Sequence, residues 1–202
     1  HYELGANDLV GAMIDMDIEK FQRIYESSVR QVGFMETIVG LIYPFLEKVG
    51  VLWTIDKINP AHEHLISCLI RQKIITAIDQ LEESKKGRRF LLFLPEGEYH
   101  EVGLLLAHYI LKSKGAWVYY LGQSLPLGNI GTAVKTVKPE YVLTFMVDPA
   151  IVNNGIQVLE EIKSFCPETK ILVATRKTEQ TEQLRSEHIV FLHEMEQLSS
   201  FV

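Results

Sequence analysis

Apolar positions in the first 86 residues recur at helical spacing, and no convincing strand pattern interrupts them. After Asp17, whose side chain can cap a helix, apolar residues follow three or four positions apart, and Gly33 can end that helix. Side chains at this spacing share one helix face, which needs a partner to bury it. The pattern therefore predicts a helical bundle over residues 1–86.

Two further helices are predicted in the same segment. An apolar stripe ends at Gly50 and contains Pro44, which should kink that helix or divide it. Asn59 followed by Pro60 is a start signal, because a capping side chain precedes a proline at the first helical position. From there to about Leu81 the helix is apolar over a wide arc, which is typical of a central helix in a bundle.

From residue 87 onward, short apolar runs alternate with helical segments. Near-continuous apolar strands are typical of a parallel sheet that is covered on both faces. We therefore predict a doubly wound, Rossmann-like α/β domain over residues 87–202, with its binding site at the carboxyl ends of the strands. The five predicted strands are Phe90–Leu94, Trp117–Leu121, Tyr141–Val147, Lys170–Ala174 and Ile189–Leu192.

Composition narrows the class of protein. Apolar residues make up 47% and charged residues 23% of the chain, and the net charge of −6 argues against direct contact with DNA. The apolar runs are far shorter than the roughly 20 residues of a membrane span, and no signal-peptide pattern is visible. Cys68 and Cys166 lie within apolar helical patterns, which favours a reducing compartment. We therefore expect a cytoplasmic protein without a membrane partner.

Several common catalytic and cofactor motifs are missing from the sequence. Gly97 and Gly103 do not form the dinucleotide fingerprint, and neither a phosphate-binding loop nor a G-x-S-x-G nucleophile elbow is present. His62 and His64 would point about 200° apart on a helix, so they cannot share one metal ion. A receiver domain requires clustered acids after the first strand, and aspartates are missing from that loop, although Asp148 nearly fits the acid expected after the third strand. The chain is therefore not expected to be an enzyme by itself.

The loop after the first strand contains the strongest candidate site. His100 is predicted near the start of a helix, with Glu98 two residues before it and Gly103 three residues after it. Glu98 can orient the imidazole by a hydrogen bond, and a histidine supported by a carboxylate is favoured for metal ligation. Gly103 would allow a helix or a ligand to approach closely. The alternative is a surface histidine on a polar loop.

Two motifs, one in each half, resemble those of a known family. Trp53 is followed after nine residues by Glu63-His64, which is the W-x9-E-H pattern, and Glu98-x-His100-x-x-Gly103 matches (D/E)-x-H-x-x-G. In order and spacing, the chain resembles the C-terminal region of MerR-like transcriptional regulators that carry a cobalamin-binding domain. This group contains the light-sensing carotenogenesis repressors.

The resemblance implies a helical cap and an α/β domain of the cobalamin-binding type, with adenosylcobalamin or methylcobalamin as cofactor. His100 would displace the dimethylbenzimidazole base and ligate the cobalt from below. Glu98 and Gly103 would support that side of the site, and Thr144 would supply the hydroxyl that the family carries on its third strand.

On the upper side, the resemblance implies that Trp53 covers the upper ligand and that Glu63 and His64 line the same side. The simpler alternative for Trp53 is a core tryptophan between helices. The photoreceptor members carry a histidine directly after this tryptophan, and here the residue is Thr54. Capture of the cobalt by a second histidine after illumination is therefore not expected.

The fourth strand departs from the family. It ends in Ala174-Thr175, where the family usually has Gly-Gly and where the displaced nucleotide tail lies against bare backbone. Two side chains in place of two hydrogens are expected to crowd the channel of the tail, and an unrelieved clash costs about 1–3 kcal/mol.

Three functions follow from these observations. The first is a cobalamin-binding sensor that is a homo-oligomer and that reaches DNA through an N-terminal helix-turn-helix outside this chain, with an antirepressor protein as a further candidate partner. The second is the same fold without cofactor, which serves as a scaffold for oligomerisation or for an antirepressor. The third is a corrinoid protein that carries methyl groups for a methyltransferase.

Overall fold

The computed structural model describes residues 2–84, 86–175 and 186–202. The backbone forms two compact units, which divide between Lys73 and Ile74. This division lies within the last helix of the helical segment, whereas the sequence placed the domain boundary further along, between residues 86 and 87.

The first unit is helical, as predicted. Phe21 and Phe45, from its second and fourth helices, are fully buried and meet edge to face, with ring centroids 6.2 Å apart. The elements that begin in this unit are α1 (Tyr2–Ile14), α2 (Ile18–Val32), α3 (Phe34–Thr37), a π-helical turn (Ile38–Ile42), α4 (Tyr43–Thr54) and α5 (Pro60–Asp79).

The predicted helix starts are confirmed by their capping bonds. An Asp17 carboxylate oxygen accepts the Lys20 amide at 2.8 Å, and Gly33, at φ +88°, follows the last residue of α2. The Asn59 side-chain oxygen accepts the amides of Ala61 and His62 at 2.9 and 3.2 Å. Each cap satisfies amides that a helix start leaves without an intrahelical partner.

The predicted helix end at Gly50 is wrong, because α4 continues to Thr54. Ile55 caps the helix, and the following residue, Asp56, has a left-handed φ of +53° and an amide that donates to the Trp53 carbonyl. Trp53 therefore lies in the last turn of α4. Pro44 is the second residue of α4, directly after the π-helical turn, so the apolar run is divided there as predicted.

The second unit contains a five-stranded sheet in the order β2-β1-β3-β4-β5, with every neighbouring pair parallel. This order confirms the predicted doubly wound α/β fold. The strands are β1 (Arg89–Pro95), β2 (Trp117–Leu125), β3 (Tyr141–Met146), β4 (Lys170–Thr175) and β5 (Ile189–Leu192). The helices are α6 (Glu101–Ser113), α7 (Ile130–Val137), α8 (Pro149–Asn153) and α9 (Gly155–Phe165), with 3-10 turns at Leu127–Asn129 and Met195–Phe201.

Helices cover both faces of the sheet. Val142, Met146 and Val173 belong to a buried cluster that includes residues of α7 and α9. Phe145, which lies between Thr144 and Met146 on β3, faces the opposite side of the sheet and contacts α6. The helix predicted between β4 and β5 falls largely at residues 176–185, outside the described residues.

The two cysteines lie in different environments. Cys166 is buried at the end of α9, whereas Cys68 is exposed on α5, and they are not bonded to each other. Burial raises the pKa of the Cys166 thiol to about 11. Within the described residues, no helix combines the length and apolarity that a bilayer crossing requires.

Candidate functional site

The carboxyl edge of the sheet has its switch point between β1 and β3, where the chain order of the strands reverses. The loop after β1 is tied to the end of β2, because the Gly97 amide donates to the Ser124 hydroxyl and the Ser124 amide donates to the Glu98 carbonyl, both at 3.1 Å. Gly97 has a φ of +85°, which favours glycine at this turn. These bonds place the Glu98 side chain at the switch point.

The Glu98 carboxylate is fully buried and accepts four hydrogen bonds. One oxygen accepts the amide and the ring Nδ1 of His100 at 3.0 and 2.6 Å. The other accepts the amides of Val147 and Asp148, just after β3, at 2.7 and 2.8 Å. One carboxylate therefore joins the loop that follows β1 to the loop that follows β3.

The charge of Glu98 results from two opposing effects. Burial raises the pKa of its carboxyl. The hydrogen bonds from the His100 ring and from the amides of Asp148, Val147 and His100 lower it by a larger amount, so the pKa is about 2. Glu98 is therefore ionised at neutral pH and can only accept hydrogen bonds. His100 Nδ1 must carry the proton of the 2.6 Å bond, so in the neutral imidazole the lone pair is on Nε2.

His100 is the N-cap residue of α6, and 57% of its side chain is exposed. An imidazole with a fixed tautomer, held by a buried carboxylate, is suited to present Nε2 to a metal. Among the described residues, no three His, Cys, Asp or Glu side chains cluster as a complete metal site. The described residues around His100 therefore do not form a complete metal site by themselves.

Gly103 allows α6 to pack closely on the sheet. A Cβ added at Gly103 would lie 2.8 Å from Cε1 of Phe145, which is closer than van der Waals contact permits. The sequence left open whether a helix or a ligand approaches this glycine, and the structure shows that the close neighbour is the β3 side chain.

Thr144 lies in the middle of β3 and is fully buried. Its hydroxyl has no hydrogen-bond partner among the described residues, and the same holds for the buried hydroxyl of Thr175 at the end of β4. A buried hydroxyl without a partner is costly, so each is suited to receive a polar group from a ligand. Thr175 was noted in the sequence only as a departure from glycine, because burial of its hydroxyl depends on the tertiary fold.

The three remaining candidates lie in the helical unit. Trp53 is 47% exposed, so the alternative of a core tryptophan is wrong. One Glu63 oxygen accepts the Ser67 hydroxyl at 2.5 Å, and the other lies 3.6 Å from His64 Nδ1. Glu63 is thus held by its own helix, and His64 remains largely exposed.

Sequence reasoning missed a second polar contact beside His100. The Tyr120 hydroxyl of β2 donates to Glu101 at 2.8 Å, and Glu101 is buried at the first position of α6.

The His108 ring stacks on the Tyr120 ring. Burial and the nearby Lys112 lower the pKa of His108 to about 4. His108 is therefore neutral at physiological pH and belongs to the packing of α6 on β2.

Comparison with known proteins identifies relatives of both halves. Residues 6–77 match the family described as "B12 binding domain". The chain is 34% identical over 134 residues to the HTH-type transcriptional repressor CarA of Myxococcus xanthus, covering 66% of this chain and 45% of the repressor. It is 26% identical over 142 residues to the repressor CarH of the same organism, covering 70% of this chain and 47% of the repressor. The chain thus spans just under half the length of these relatives.

The fold also occurs in solved structures. A monomethylamine corrinoid protein of Methanosarcina barkeri superimposes with a TM-score of 0.75 at 12% identity, covering 100% of this chain and 98% of that one. A cobalamin-binding protein of Desulfitobacterium hafniense DCB-2 gives a TM-score of 0.50 at 16% identity, covering 100% and 96%. At these identities the likeness concerns the fold alone.

Proposed function

Because this chain is related in sequence to HTH-type transcriptional repressors, and its residues 6–77 match the B12 binding domain family, we propose that it is the cobalamin-binding sensor region of a MerR-like regulator. The proposal places the cofactor at the carboxyl edge of the sheet and assigns no catalytic reaction to the chain itself.

The observation that carries the proposal is the hydrogen bond from the partly exposed His100 ring to the buried Glu98 carboxylate. A single imidazole does not hold a bare metal ion, but it suffices where a macrocycle already supplies most of the ligands. Cobalamin supplies such a metal, a cobalt ion held by the four nitrogens of the corrin ring. His100 Nε2 would be its lower protein ligand, and Glu98 would keep the proton on Nδ1 and the ring in position.

Other residues would hold the remaining parts of the cofactor. The unpartnered Thr144 hydroxyl would bind a polar group on the lower side, and Gly103 would keep α6 close to β3 so that His100 stays at the edge. By resemblance to the family, Trp53 would cover the upper ligand, and Glu63 and His64 would line that side. The exposure of Trp53 supports this role, since its ring is accessible to a ligand.

We propose that cofactor binding alters self-association of the chain and thereby DNA binding by a helix-turn-helix outside it. A ligand shifts such an equilibrium only if it binds one arrangement more tightly than the other. The lengths of the relatives support a further domain, because the matched region is less than half of each. An antirepressor protein is a second partner that this scheme allows.

The third function, a protein that carries methyl groups on a corrinoid, is a weaker candidate, although the monomethylamine corrinoid protein of Methanosarcina barkeri shares the fold. Sequence identity to that protein is 12%, whereas identity to the two repressors is 34% and 26%. The spacing of Trp53 to Glu63-His64 also favours the regulators.

The test is to mix the protein in the dark with adenosyl-, methyl- or hydroxocobalamin, remove unbound cofactor, and record the visible spectrum. We expect a retained chromophore with the absorption of histidine-ligated cobalamin, and we expect His100→Ala to lose that signature. His188→Ala, which removes an exposed histidine elsewhere in the same unit, is the matched control and should keep it.

Two results would contradict the proposal. Unchanged spectra and affinity in His100→Ala would remove His100 as the cobalt ligand. A colourless protein with every cobalamin form, together with a stable oligomer by light scattering, would instead support the cofactor-free scaffold.

A further inference from the structure

The start of α6 lacks the side-chain bond that usually caps a helix. His100 is the N-cap residue, but its side chain makes no capping bond, and its ring Nδ1 is bound to Glu98 instead. The N–H groups of a first helical turn have no intrahelical partner, so a turn without a cap opens more easily. The position of the His100 backbone therefore depends on other contacts at this turn.

Glu101 and Tyr120 make such a contact. Glu101 follows His100 as the first residue of α6, and its buried carboxyl group accepts the Tyr120 hydroxyl of β2 at 2.8 Å. The Tyr120 ring is itself held, because it stacks on His108 further along α6, with ring centroids 5.2 Å apart. Consecutive Cα atoms are only about 3.8 Å apart, so a tether at Glu101 also limits the movement of the His100 backbone.

β2 has a bulge where it meets Glu101. Tyr120 and Gly122 lie opposite consecutive residues of β1, so Leu121 is an extra residue in β2. Gly122 has a left-handed φ of +82°, and a Cβ built there would lie 3.5 Å from a Glu101 carboxyl oxygen. Bulges bend a strand and re-aim its side chains, and they are frequent beside functional sites. This bulge brings the backbone of β2 against the group that Tyr120 binds.

A second bulge of β2 holds the other end of the His100 segment. The register of β1 and β2 shifts again beyond Gly122, and Ser124, whose φ is +52°, lies in this shift. The Ser124 hydroxyl accepts the Gly97 amide and the Ser124 amide donates to the Glu98 carbonyl, both at 3.1 Å. β2 thus holds the loop before His100 through one bulge and the helical turn after it through the other.

We propose that Glu101 and Tyr120 are positioning residues that set how strongly the His100 imidazole binds the cobalt of a bound corrinoid. The inference rests on the proposed function, in which His100 is the lower ligand. Neither residue needs to touch the cobalt, since their hydrogen bond acts on the backbone to which the His100 ring is attached. Glu98 fixes the proton and the rotation of the ring, whereas Glu101 and Tyr120 fix the place from which the ring extends.

The experiment measures the cobalt(II)/cobalt(I) reduction potential of cobalamin bound to the 202-residue chain. A lower ligand stabilises cobalt(II), whereas cobalt(I) in a corrin binds none, so the potential rises as the bond to histidine weakens. A tenfold weaker bond raises the potential of this one-electron couple by about 59 mV. Tyr120→Phe keeps the ring and removes the hydroxyl, and we expect it to weaken the bond about threefold to tenfold, which is a rise of about 28 to 59 mV.

Variants of Glu101 test the same hydrogen bond from its other side. Glu101→Gln retains an oxygen that can accept the Tyr120 hydroxyl, and it should shift the potential by less than about 18 mV, which is a twofold effect. Glu101→Leu, which has no acceptor, should raise the potential at least as much as Tyr120→Phe. In a His100→Ala background, Tyr120→Phe should have no effect on the potential, because the histidine through which it acts is absent.

Tyr141→Phe is the matched control for the loss of a tyrosine hydroxyl. The Tyr141 hydroxyl accepts a hydrogen bond from Arg88 at 3.1 Å, and Tyr141 begins β3 at the amino edge of the sheet, away from the candidate site. Tyr141→Phe should leave the potential unchanged, whatever its effect on the melting temperature. A purely structural role of a hydroxyl moves the melting temperature alone.

Three results would overturn the inference. A potential of Tyr120→Phe within about 18 mV of the unmodified protein would show that the tyrosine does not position the ligand. An equal rise in Tyr141→Phe would assign the effect to a general loosening of the fold, and a rise that persists in the His100→Ala background would assign it to a path other than His100. These results leave the proposed function intact. Failure of the unmodified chain to bind cobalamin, or an unchanged potential in His100→Ala, would instead remove the proposed function.

Discussion

Glu98 is charged although its side chain is fully buried. Such a charge persists in a protein interior only where hydrogen bonds replace the lost hydration. Glu98 has four of them, three from backbone amides and one from the His100 ring. At the scale of the residue, the site is thus a carboxylate that the fold stabilises in its ionised form.

This balance predicts a dependence of stability on pH. The pKa of Glu98 is about 2 in the folded chain and 4.5 without the fold, so its contribution is complete above pH 4.5 and is lost as the pH falls toward 2. The shift corresponds to a free energy of unfolding on the order of 3 kcal/mol. We expect Glu98→Gln to lower the free energy of urea unfolding at pH 7 by about this amount and to flatten its decrease between pH 4.5 and 2.

Glu96→Gln is the matched control for this prediction, because Glu96 lies exposed on the same loop. It should follow the unmodified protein at each pH. The unfolding free energy of Glu98→Gln could instead fall as steeply with decreasing pH as that of the unmodified chain. In that case other carboxyls would cause the pH dependence of stability.

At the scale of elements, the close packing of α6 on β3 predicts a specific loss of stability. Gly103→Ala gains up to about 1 kcal/mol of helix propensity, but its Cβ would press on Phe145 at 2.8 Å, and such overpacking costs about 1–3 kcal/mol. We expect a net destabilisation in urea unfolding that Phe145→Leu partly relieves. Gly128→Ala, whose Cβ would meet nothing within 4 Å, should show no comparable loss. If the losses of unfolding free energy in Gly103→Ala and Phe145→Leu add up in the double variant, the contact between the two residues is not the cause of the destabilisation.

The elements differ in how far the sequence predicts them. Apolar runs with polar boundaries identify all five strands to within a few residues, and the side chains of Asp17 and Asn59 identify helix starts, because both signals are local. Gly50 misleads, since a glycine can remain in a helix when the left-handed turn is supplied later by Asp56.

In the candidate site, contacts between residues close in sequence are predictable, whereas contacts between distant residues are not. The Glu98–His100 bond is predictable from a spacing of two residues. The amides of Val147 and Asp148 are not, because only the order of the strands brings them to Glu98. The unpartnered hydroxyl of Thr175 is likewise a consequence of tertiary burial.

At the scale of the whole molecule, the net charge predicts how the 202-residue chain by itself behaves toward DNA. Its net charge is −6, and non-specific affinity for DNA comes from cations that neutralise phosphates. We expect no change in the fluorescence anisotropy of a labelled DNA duplex on titration with the 202-residue chain at physiological salt. A basic protein of similar size is the control for the assay, and an increase in anisotropy that weakens with added salt would contradict the prediction.

The two amides beyond the end of β3 have a consequence for hydrogen exchange. Val147 and Asp148 lie outside the strand, where amide hydrogens usually exchange quickly with deuterium from the solvent, but both are bound to a carboxylate that is sealed from water. Their exchange must wait until Glu98 leaves its position, and that movement also releases the His100 ring. Slow deuterium uptake at Val147 and Asp148 would thus show that Glu98 holds the His100 ring, nearly fifty residues away in sequence. The measurement needs no added cofactor.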